Sequence, residues 1–528
     1  MMAPDRTLVT ALCEHLRSRT GEAVSLIETH ISWVLLTDGM AYKLKKPVRL
    51  PFVDFSTLAA RKHFCEEELR LNRRLAPALY LEVAPVCGTA DAPHLGGSGE
   101  GGGSDAIDFV VCMRRFPEDQ LLRNLLLAQR VEPALLARFG QRLAGFHREA
   151  QAAPLFSDFG SPEQVLRSAT GALDGLSGDP GGERRQALQT WVAEQGARLR
   201  TAWVERQRNG AVRECHGDLH LSNLVQIDGE LTAFDCVEFD PALRWIDGMS
   251  DLAFLTMDLK AHRRGDLAFR VLDAYLQESG DYDGVPVLRF YEVYRALVRA
   301  MVARLRAKAL GDGSPKSDSA EPDYLRCAES LAAGQAGRKG LMITHGLSGS
   351  GKSTIAAQLL AVAQAVRIRS DVERKRLFGL APLQRSAGLA VDIYTPDATR
   401  RTFERLAACS RTALAAGFPV IVDAAFLRRD ERLAFRALAT ELRVPFTILH
   451  CQATDAQLRR RVATRSTGGT DASEADLAVL ERQMAFQEPL TREESAVALE
   501  VATEEPLDVD ALHARWLALA TPSSGARA

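Results

Sequence analysis

Hydrophobic and polar positions change rhythm along this chain. Residues 7–18 place apolar side chains on one helical face, after which Ser32–Leu36 and Met40–Leu44 read as two strands joined at Thr37-Asp38-Gly39, a hairpin signal. Phe64–Leu75 returns to helical spacing, with Leu71 and Leu75 as its apolar stripe and Glu66, Glu67 and Glu68 among its polar positions. Leu81–Val86 and Ile107–Met113 complete a small antiparallel sheet, and His94–Asp105 between them, dominated by Gly and Ser, reads as a flexible loop. Helical patterns cover 120–149 and 183–208, separated by a Gly- and Pro-rich loop near 171–182. They resume over 240–308, most clearly in Tyr291–Leu305.

A stretch rich in Gly, Ser, Pro and charge follows at 311–323, then a short helix near 323–333. From 341 the rhythm becomes regular. Strands at 341–345, 365–370, 419–423, 445–450 and 496–501 alternate with helices at 352–364, on to 416, 428–442, 455–487 and 507–519. Alternation of this kind builds a parallel sheet with crossover helices. The expected architecture is an α+β bilobal domain over 1–310, a linker over 311–335, and an α/β domain with a five-stranded parallel sheet over 336–528.

Composition changes this picture little. At 528 residues the chain exceeds what a single core usually supports, in keeping with two domains. A net charge of −2 gives no general attraction to nucleic acid or to an anionic membrane. The nine cysteines are scattered, with no C-x-x-C pair and no Cys/His cluster at zinc spacing, so they read as buried small hydrophobes in a reducing compartment. The N-terminus interleaves Asp5, Arg6, Glu14 and Arg17 with apolar residues and carries no signal-peptide core, and no run approaches a membrane span. The expected setting is the cytoplasm.

The chemistry enters at Gly346-Leu-Ser-Gly-Ser-Gly-Lys-Ser353, which follows the apolar run Leu341–Thr344 and precedes the helical pattern Thr354–Ala363. Strand, glycine loop and helix in that order are the context of a P-loop. Gly346, Gly349 and Gly351, with Ser350 between, let backbone N–H groups turn inward on phosphate oxygens, while the helix N-terminus at Thr354 adds partial positive charge. Lys352 would reach the β- and γ-phosphates of ATP and Ser353 would hold Mg²⁺.

The other informative stretch is His216-Gly-Asp-Leu-His-Leu-Ser-Asn223, followed by Leu224–Ile227, the turn Asp228-Gly229, and Glu230–Asp235. Asp-Gly between apolar runs favours a two-residue hairpin turn. If Ile227 pairs with Glu230, Asn223 falls opposite Phe234, and Asn223 and Asp235 share one end of the ribbon. A common Mg²⁺ site needs that arrangement, and Asp218 lies just upstream to orient a hydroxyl. Lys43 and Lys45 fall on one face of their strand. A strand lysine paired with a helix glutamate holds the α- and β-phosphates in kinase-like lobes, and the pair is Lys43 or Lys45 with Glu68 or Glu67.

His-Gly-Asp, four residues and Asn, then a hairpin ending in Asp, resembles the catalytic loop and metal aspartate of the aminoglycoside phosphotransferase family. That family's fold resembles protein kinases, so 1–310 is expected to be protein-kinase-like. Asp251-Leu252-Ala253 resembles the family's buried Asp-Leu-Ala helix start. The resemblance implies Asp218 as catalytic base, Asn223 and Asp235 as Mg²⁺ ligands, and Lys43 with Glu68 as the phosphate-positioning pair.

In parallel sheets ligands bind beyond the carboxyl ends of the strands, where Asp371 and Asp423 fall. Each is either a helix cap or a site residue, Asp423 then joining the metal. Arg374 follows Asp371 at helical spacing, so both face one cleft. Asp-x-x-Arg after the second strand resembles P-loop kinases of hydroxyls such as polynucleotide kinase, gluconate kinase and the zeta-toxin group, in which the Asp orients or deprotonates the acceptor. Leu458–Arg465 resembles their lid helix, with Arg461 and Arg465 one turn apart to clamp the transferring phosphoryl group. The whole chain resembles a bacterial two-domain family described as bifunctional aminoglycoside phosphotransferase/ATP-binding proteins. That resemblance implies ATP, Mg²⁺ and small-molecule hydroxyl acceptors as partners, and names no acceptor.

Overall fold

The structure is a computed structural model that describes residues 6–50, 53–96, 105–177, 182–310, 321–334, 339–386, 392–468 and 471–520. Within the expected linker, 311–320 and 335 lie outside the described residues, as do 97–104 of the expected Gly/Ser loop. The chain divides into two compact units. One holds Met1–Leu135, Glu149–Gly160 and Gly210–Asp251, and the other holds Leu136–Arg148, Ser161–Asn209 and Leu252–Ala528.

The first unit is built on a six-stranded antiparallel sheet in the order Ser25–Glu28, Ser32–Leu36, Met40–Lys45, Ala106–Arg114, Tyr80–Thr89, Ala92–Leu95. One face packs Trp33, Leu35, Leu44, Val86 and Val110 against Val9, Leu12 and Leu16 of the helix Thr7–Thr20. Two strands of this sheet escaped the sequence reading. Ser25–Glu28 is an exposed edge with no buried position to give a pattern. Ala92–Leu95, which runs into the start of the expected loop, pairs with Val86–Thr89. The glutamate helix begins at Leu58 rather than Phe64: Thr57 Oγ1 accepts the Ala60 N–H as an N-cap, and buried Arg61, which breaks the apolar stripe, is paired with Asp108 at 2.8 Å. The hairpin Leu224–Ile227/Glu230–Ala233 has the expected register, Ile227 opposite Glu230, and Phe234 N–H reaches Asn223 O at 3.0 Å.

The second unit contains helices and a parallel sheet. Its helices include Pro162–Asp174, which occupies part of the expected loop near 171–182, Gly182–Arg208, Gly265–Ser279, Val285–Leu310 and Tyr324–Ala333. Trp203 and Phe290 meet edge to face at 4.9 Å in their core. The five strands are all parallel, in the order Val366–Arg369, Val420–Asp423, Leu341–His345, Phe446–Gln452, Ala498–Ala502. The third strand in chain order lies between the second and the first, so the P-loop strand Leu341–His345 sits at the centre of the sheet, with Asp423 at the carboxyl end of its neighbour. All nine cysteines are free, and Cys13, Cys87 and Cys327 are only half-buried. Among the described residues no helix is long and apolar enough to cross a membrane.

Candidate functional site

In the first unit the lysine strand and the glutamate helix meet Asp235 and Glu238, and five ionisable side chains form one cluster. Lys43 Nζ lies 2.8 Å from Glu68 Oε1 and 2.6 Å from Asp235 Oδ1. Lys45 Nζ lies 2.7 Å from Glu68 Oε2 and pairs also with Glu238. Both lysines therefore meet Glu68, because residues two apart on a strand share a face. Glu67 turns away, 2.9 Å from Arg70 and 3.5 Å from Arg244. Lys45 is fully enclosed, whereas Lys43 keeps a little exposure and reaches the half-exposed Asp235.

Burial disfavours the charges of Lys43, Lys45, Glu68 and Glu238, and the pairing reverses that for the first three. Desolvation pulls Lys43 and Lys45 down, but Asp235, Glu68 and Glu238 more than compensate and hold both above the usual lysine range. Glu68, buried between the two ammonium groups, stays below the usual carboxylate range. Burial pushes Glu238 up, against the pull of Lys45.

The residues of the loop 216–223 gather beside it. Buried Asp251 accepts the N–H groups of His216 and Gly217 at 3.0 and 2.8 Å, which pins the loop from behind. Burial lowers the His216 imidazole, whose Nε2 meets Phe234 O at 3.0 Å. Asn223 Nδ2 donates to Asp218 Oδ2 at 3.0 Å and to Asp218 O at 2.9 Å. Asp235 holds φ of +61°, and its N–H donates to the Tyr80 hydroxyl at 3.1 Å. Oxygen donors on Asn223 and Asp235 beside Asp218 are the hard ligands Mg²⁺ takes.

In the second unit the P-loop wraps the N-terminus of the helix Lys352–Ala363. Gly346 has φ of +143°, and a Cβ there would stand 2.5 Å from Cys451 O, so both conformation and space demand glycine. Lys352 Nζ donates to Leu347 O at 2.7 Å and lies 3.4 Å from Ser350 Oγ. Burial pulls its ammonium below the usual lysine range, against Cys451, Asp423 and Asp371. Ser353 Oγ donates to Asp423 Oδ1 at 3.0 Å. Asp423 Oδ2 is buried and accepts no hydrogen bond, although Arg367 Nη1 and Arg369 Nε lie 3.6 and 3.5 Å away. A serine hydroxyl and a carboxylate with an orphaned oxygen fit a magnesium ion.

A cleft of 1050 Å³ carries Lys352, Ser353, Asp371, Arg374, Asp423 and Glu431 on its wall. Gly349, Gly351 and Thr354 line it too, whereas Ser350 is buried beneath the loop. Asp371 lies in the first turn of Ser370–Leu377 and is not that helix's cap, nor does Asp423 cap the next helix, whose N-cap is Arg428. Arg374 is committed: its Nη1 donates to Ile393 O at 3.0 Å and to Thr399 Oγ1 at 3.2 Å, and its guanidinium lies over Tyr394. Arg461 and Arg465 line the same cleft, bonded to Gly349 O and Thr503 and to Ala475 O respectively. Burial pushes the carboxyl of Glu431 up to about 7.

Several of these neighbours had no separate signal in the sequence. Glu238 follows Asp235 closely in an irregular segment but belongs to no recognisable motif. Arg367 and Arg369 did leave one: Val-Arg-Ile-Arg is an odd strand for a parallel sheet, where both faces are covered.

Comparison with known proteins agrees with this geometry. Residues 49–291 match the family model described as the phosphotransferase enzyme family, and residues 341–490 match the model described as an AAA domain. Over 467 residues the chain is 29% identical to an uncharacterized protein of Mycobacterium tuberculosis and to one of Mycobacterium bovis, covering 88% of this chain and 90% of each relative. Among solved structures, a choline/ethanolamine kinase family protein from Mesorhizobium loti is 13% identical, with 62% of this chain and 92% of that one covered and a TM-score of 0.37. A sugar kinase from Janibacter sp. HTCC2649 is 20% identical, with 35% and 99% covered and a TM-score of 0.27. At those TM-scores neither structure says anything of this chain's substrate. The chain is a kinase that joins a phosphotransferase-family domain to a P-loop kinase domain.

Proposed function

We propose that this kinase has two ATP- and Mg²⁺-dependent sites, each transferring a γ-phosphoryl group to a hydroxyl of a small molecule. The domains we assign are 1–310 and 336–528, with 311–335 between them. The observation that carries the reading is that each site keeps a complete set of hard oxygen ligands beside a lysine suited to phosphate. A domain retained only to sense ATP has no use for Asp218 or Asp371.

In the first site Asn223 and Asp235 would hold Mg²⁺, Lys43 held by Glu68 would meet the α- and β-phosphates, and Asp218 would orient and deprotonate the acceptor hydroxyl. In the second, Lys352 and the loop amides would hold the phosphates, Ser353 and Asp423 the ion, and Asp371 the acceptor, with Arg461 and Arg465 as lid cations and Arg374 shaping the acceptor wall. The ion, when bound, neutralises charge on the β- and γ-oxygens. Catalysis rests otherwise on positioning.

Two other readings compete: an ATP-binding module in which one domain gates the other, and a toxin-like kinase of nucleotide sugars. A screen of metabolites for transfer from labelled ATP, run on the full chain beside Asp218→Asn and Lys352→Ala, separates them. Two acceptors, each lost with one variant, support the proposal. ATP binding without any transfer favours the gating module.

Aminoglycosides are not the acceptors we expect. A site for polycations concentrates carboxylates, yet over the acceptor region Asp247, Asp251, Asp258, Asp266 and Asp273 are interspersed with Arg244, Lys260, Arg263, Arg264 and Arg270. Efficient phosphorylation of kanamycin-like compounds at micromolar concentration by the full chain would overturn this expectation.

A further inference from the structure

The helix Gly265–Ser279 precedes the P-loop in sequence by many turns of chain, yet it packs on the strand Val366–Arg369 and on the P-loop helix Lys352–Ala363 within the same unit. Two of its side chains, Asp273 and Gln277, stand one turn apart on one face. Asp273 grips Arg367 with both oxygens, Oδ2 to Nη2 at 2.8 Å and Oδ1 to Nε at 3.2 Å. Gln277 Nε2 donates to Asp273 Oδ2 at 2.6 Å, and Gln277 Oε1 accepts from Arg369 Nη1 at 3.4 Å.

Arg367 and Arg369 are the two cations nearest the orphaned oxygen of Asp423 in this network. With its Nε and Nη2 held by Asp273, Arg367 turns Nη1 to Ser353 O at 3.1 Å and leaves it 3.6 Å from Asp423 Oδ2. Arg369 is similarly drawn off by Asp471 at 2.8 Å. The same helix end also receives two other helices: Arg376 of Ser370–Leu377 donates to the carbonyls of Gln277 and Glu278, and Arg405 of Pro396–Ala415 to that of Gly280. Tyr282 hydroxyl completes the seam on Arg367 O at 3.2 Å.

We propose that Asp273 is a positioning residue of the P-loop site: by neutralising and orienting Arg367 it keeps Asp423 Oδ2 open for the magnesium ion. This rests on the reading of Ser353 and Asp423 as the metal end of that site. A buried guanidinium without its carboxylate has no water to turn to, and the nearest remaining anion is Asp423. The present 3.6 Å contact would then tighten to a hydrogen-bonded pair that occupies the oxygen the metal needs. The helix that supplies Asp273 belongs to the stretch matched by the phosphotransferase family, which spans 49–291. The second site is thus completed by a residue outside the P-loop domain, and the two kinase domains do not work as separable modules.

The test uses the full chain and titration calorimetry of ATP over a range of Mg²⁺ concentrations, following the part of the binding that Lys352→Ala removes. Asp273→Asn should weaken the apparent Mg²⁺ affinity of that part about ten-fold, the size of a coupling between neighbouring charges, with Mg²⁺-free ATP binding unchanged. Asp273→Glu, which keeps the charge, should restore most of it. Arg367→Gln combined with Asp273→Asn should return the parent's Mg²⁺ dependence, and it decides the matter if Asp273→Asn alone does not fold. Unmoved Mg²⁺ dependence in Asp273→Asn, an equal loss with and without Mg²⁺, or a double variant as weak as the single one overturns the proposal. If Lys352→Ala leaves ATP binding unchanged, the reading of the P-loop itself fails, and this inference with it.

Discussion

Lys43 and Lys352 are assigned the same task, meeting the phosphates of a nucleotide, but the chain surrounds them in opposite ways. Lys43 is clasped by Glu68 and Asp235, and its neighbour Lys45 by Glu68 and Glu238. Lys352 has no carboxylate at bonding distance and rests on a backbone carbonyl of its own loop. The first cluster pairs both ammonium groups with its own carboxylates, so it is stable as it stands and binds by exchanging partners. The second leaves a buried positive charge for an anion to satisfy. The difference teaches that one lysine carries stability as well as function, and the other function alone.

Removing Glu68 tests the first half of that contrast and should have the largest effect. Glu68→Ala leaves two buried ammonium groups short of a partner, and breaking buried pairs costs about 3–5 kcal/mol. Chemical denaturation should show that loss, with transfer from the first site abolished. A variant as stable as the parent would show that Glu238 and Asp235 suffice.

Asp218→Asn separates chemistry from charge balance in the same site. Asp218 takes no part in the lysine pairs, so stability and ATP affinity should stay near the parent's. Transfer to an acceptor of the first site should fall about 10²–10⁴-fold, the usual contribution of a general base. Turnover at the parent rate removes Asp218 from that role.

For the second site the contrast predicts function lost without stability. Lys352→Ala should change unfolding free energy by about 1 kcal/mol or less, because burial already disfavours its charge. Hydrogen bonds to charged groups contribute about 1.5–3 kcal/mol net, so ATP affinity at that site should fall about 10- to 100-fold. A large loss of stability with unchanged ATP binding would place Lys352 with Lys43 and erase the distinction.

The smallest effect concerns Glu431 on the wall of the P-loop cleft. Burial raises its carboxyl from the ordinary 4.5 to about 7. A carboxyl raised on folding favours the folded state while it is protonated, so its contribution is present below pH 4.5 and is lost as pH rises through about 7. Glu431→Gln should flatten the fall in melting temperature over that window and, at pH 8, gain about 1–2 kcal/mol. Parallel pH profiles for parent and variant would contradict the assignment.

Much of this molecule was legible before its structure, for a local reason. The P-loop follows from glycines between a strand and a helix. The register of the hairpin follows from Asp228-Gly229, which set Asn223 beside Phe234 and Asp235 next to it. Alternation of strand and helix after 341 dictated a parallel sheet, since only crossovers join such strands. Each of these features is encoded by neighbours in sequence through backbone freedom and spacing.

Tertiary structure alone decided the charge partners. Lys43 against Lys45 stayed open until the fold gave both to Glu68. Glu238 reaches Lys45 across 193 residues and Asp273 reaches Arg367 across 94. No periodicity marks such pairs, because a buried ion answers to whichever opposite charge shares its low-dielectric surroundings, and burial is a property of the folded chain. The sequence by itself thus determined which lysines, carboxylates and loop amides come together as the proposed holders of phosphate and metal. Which charges are kept free to hold them was decided only when distant elements packed together.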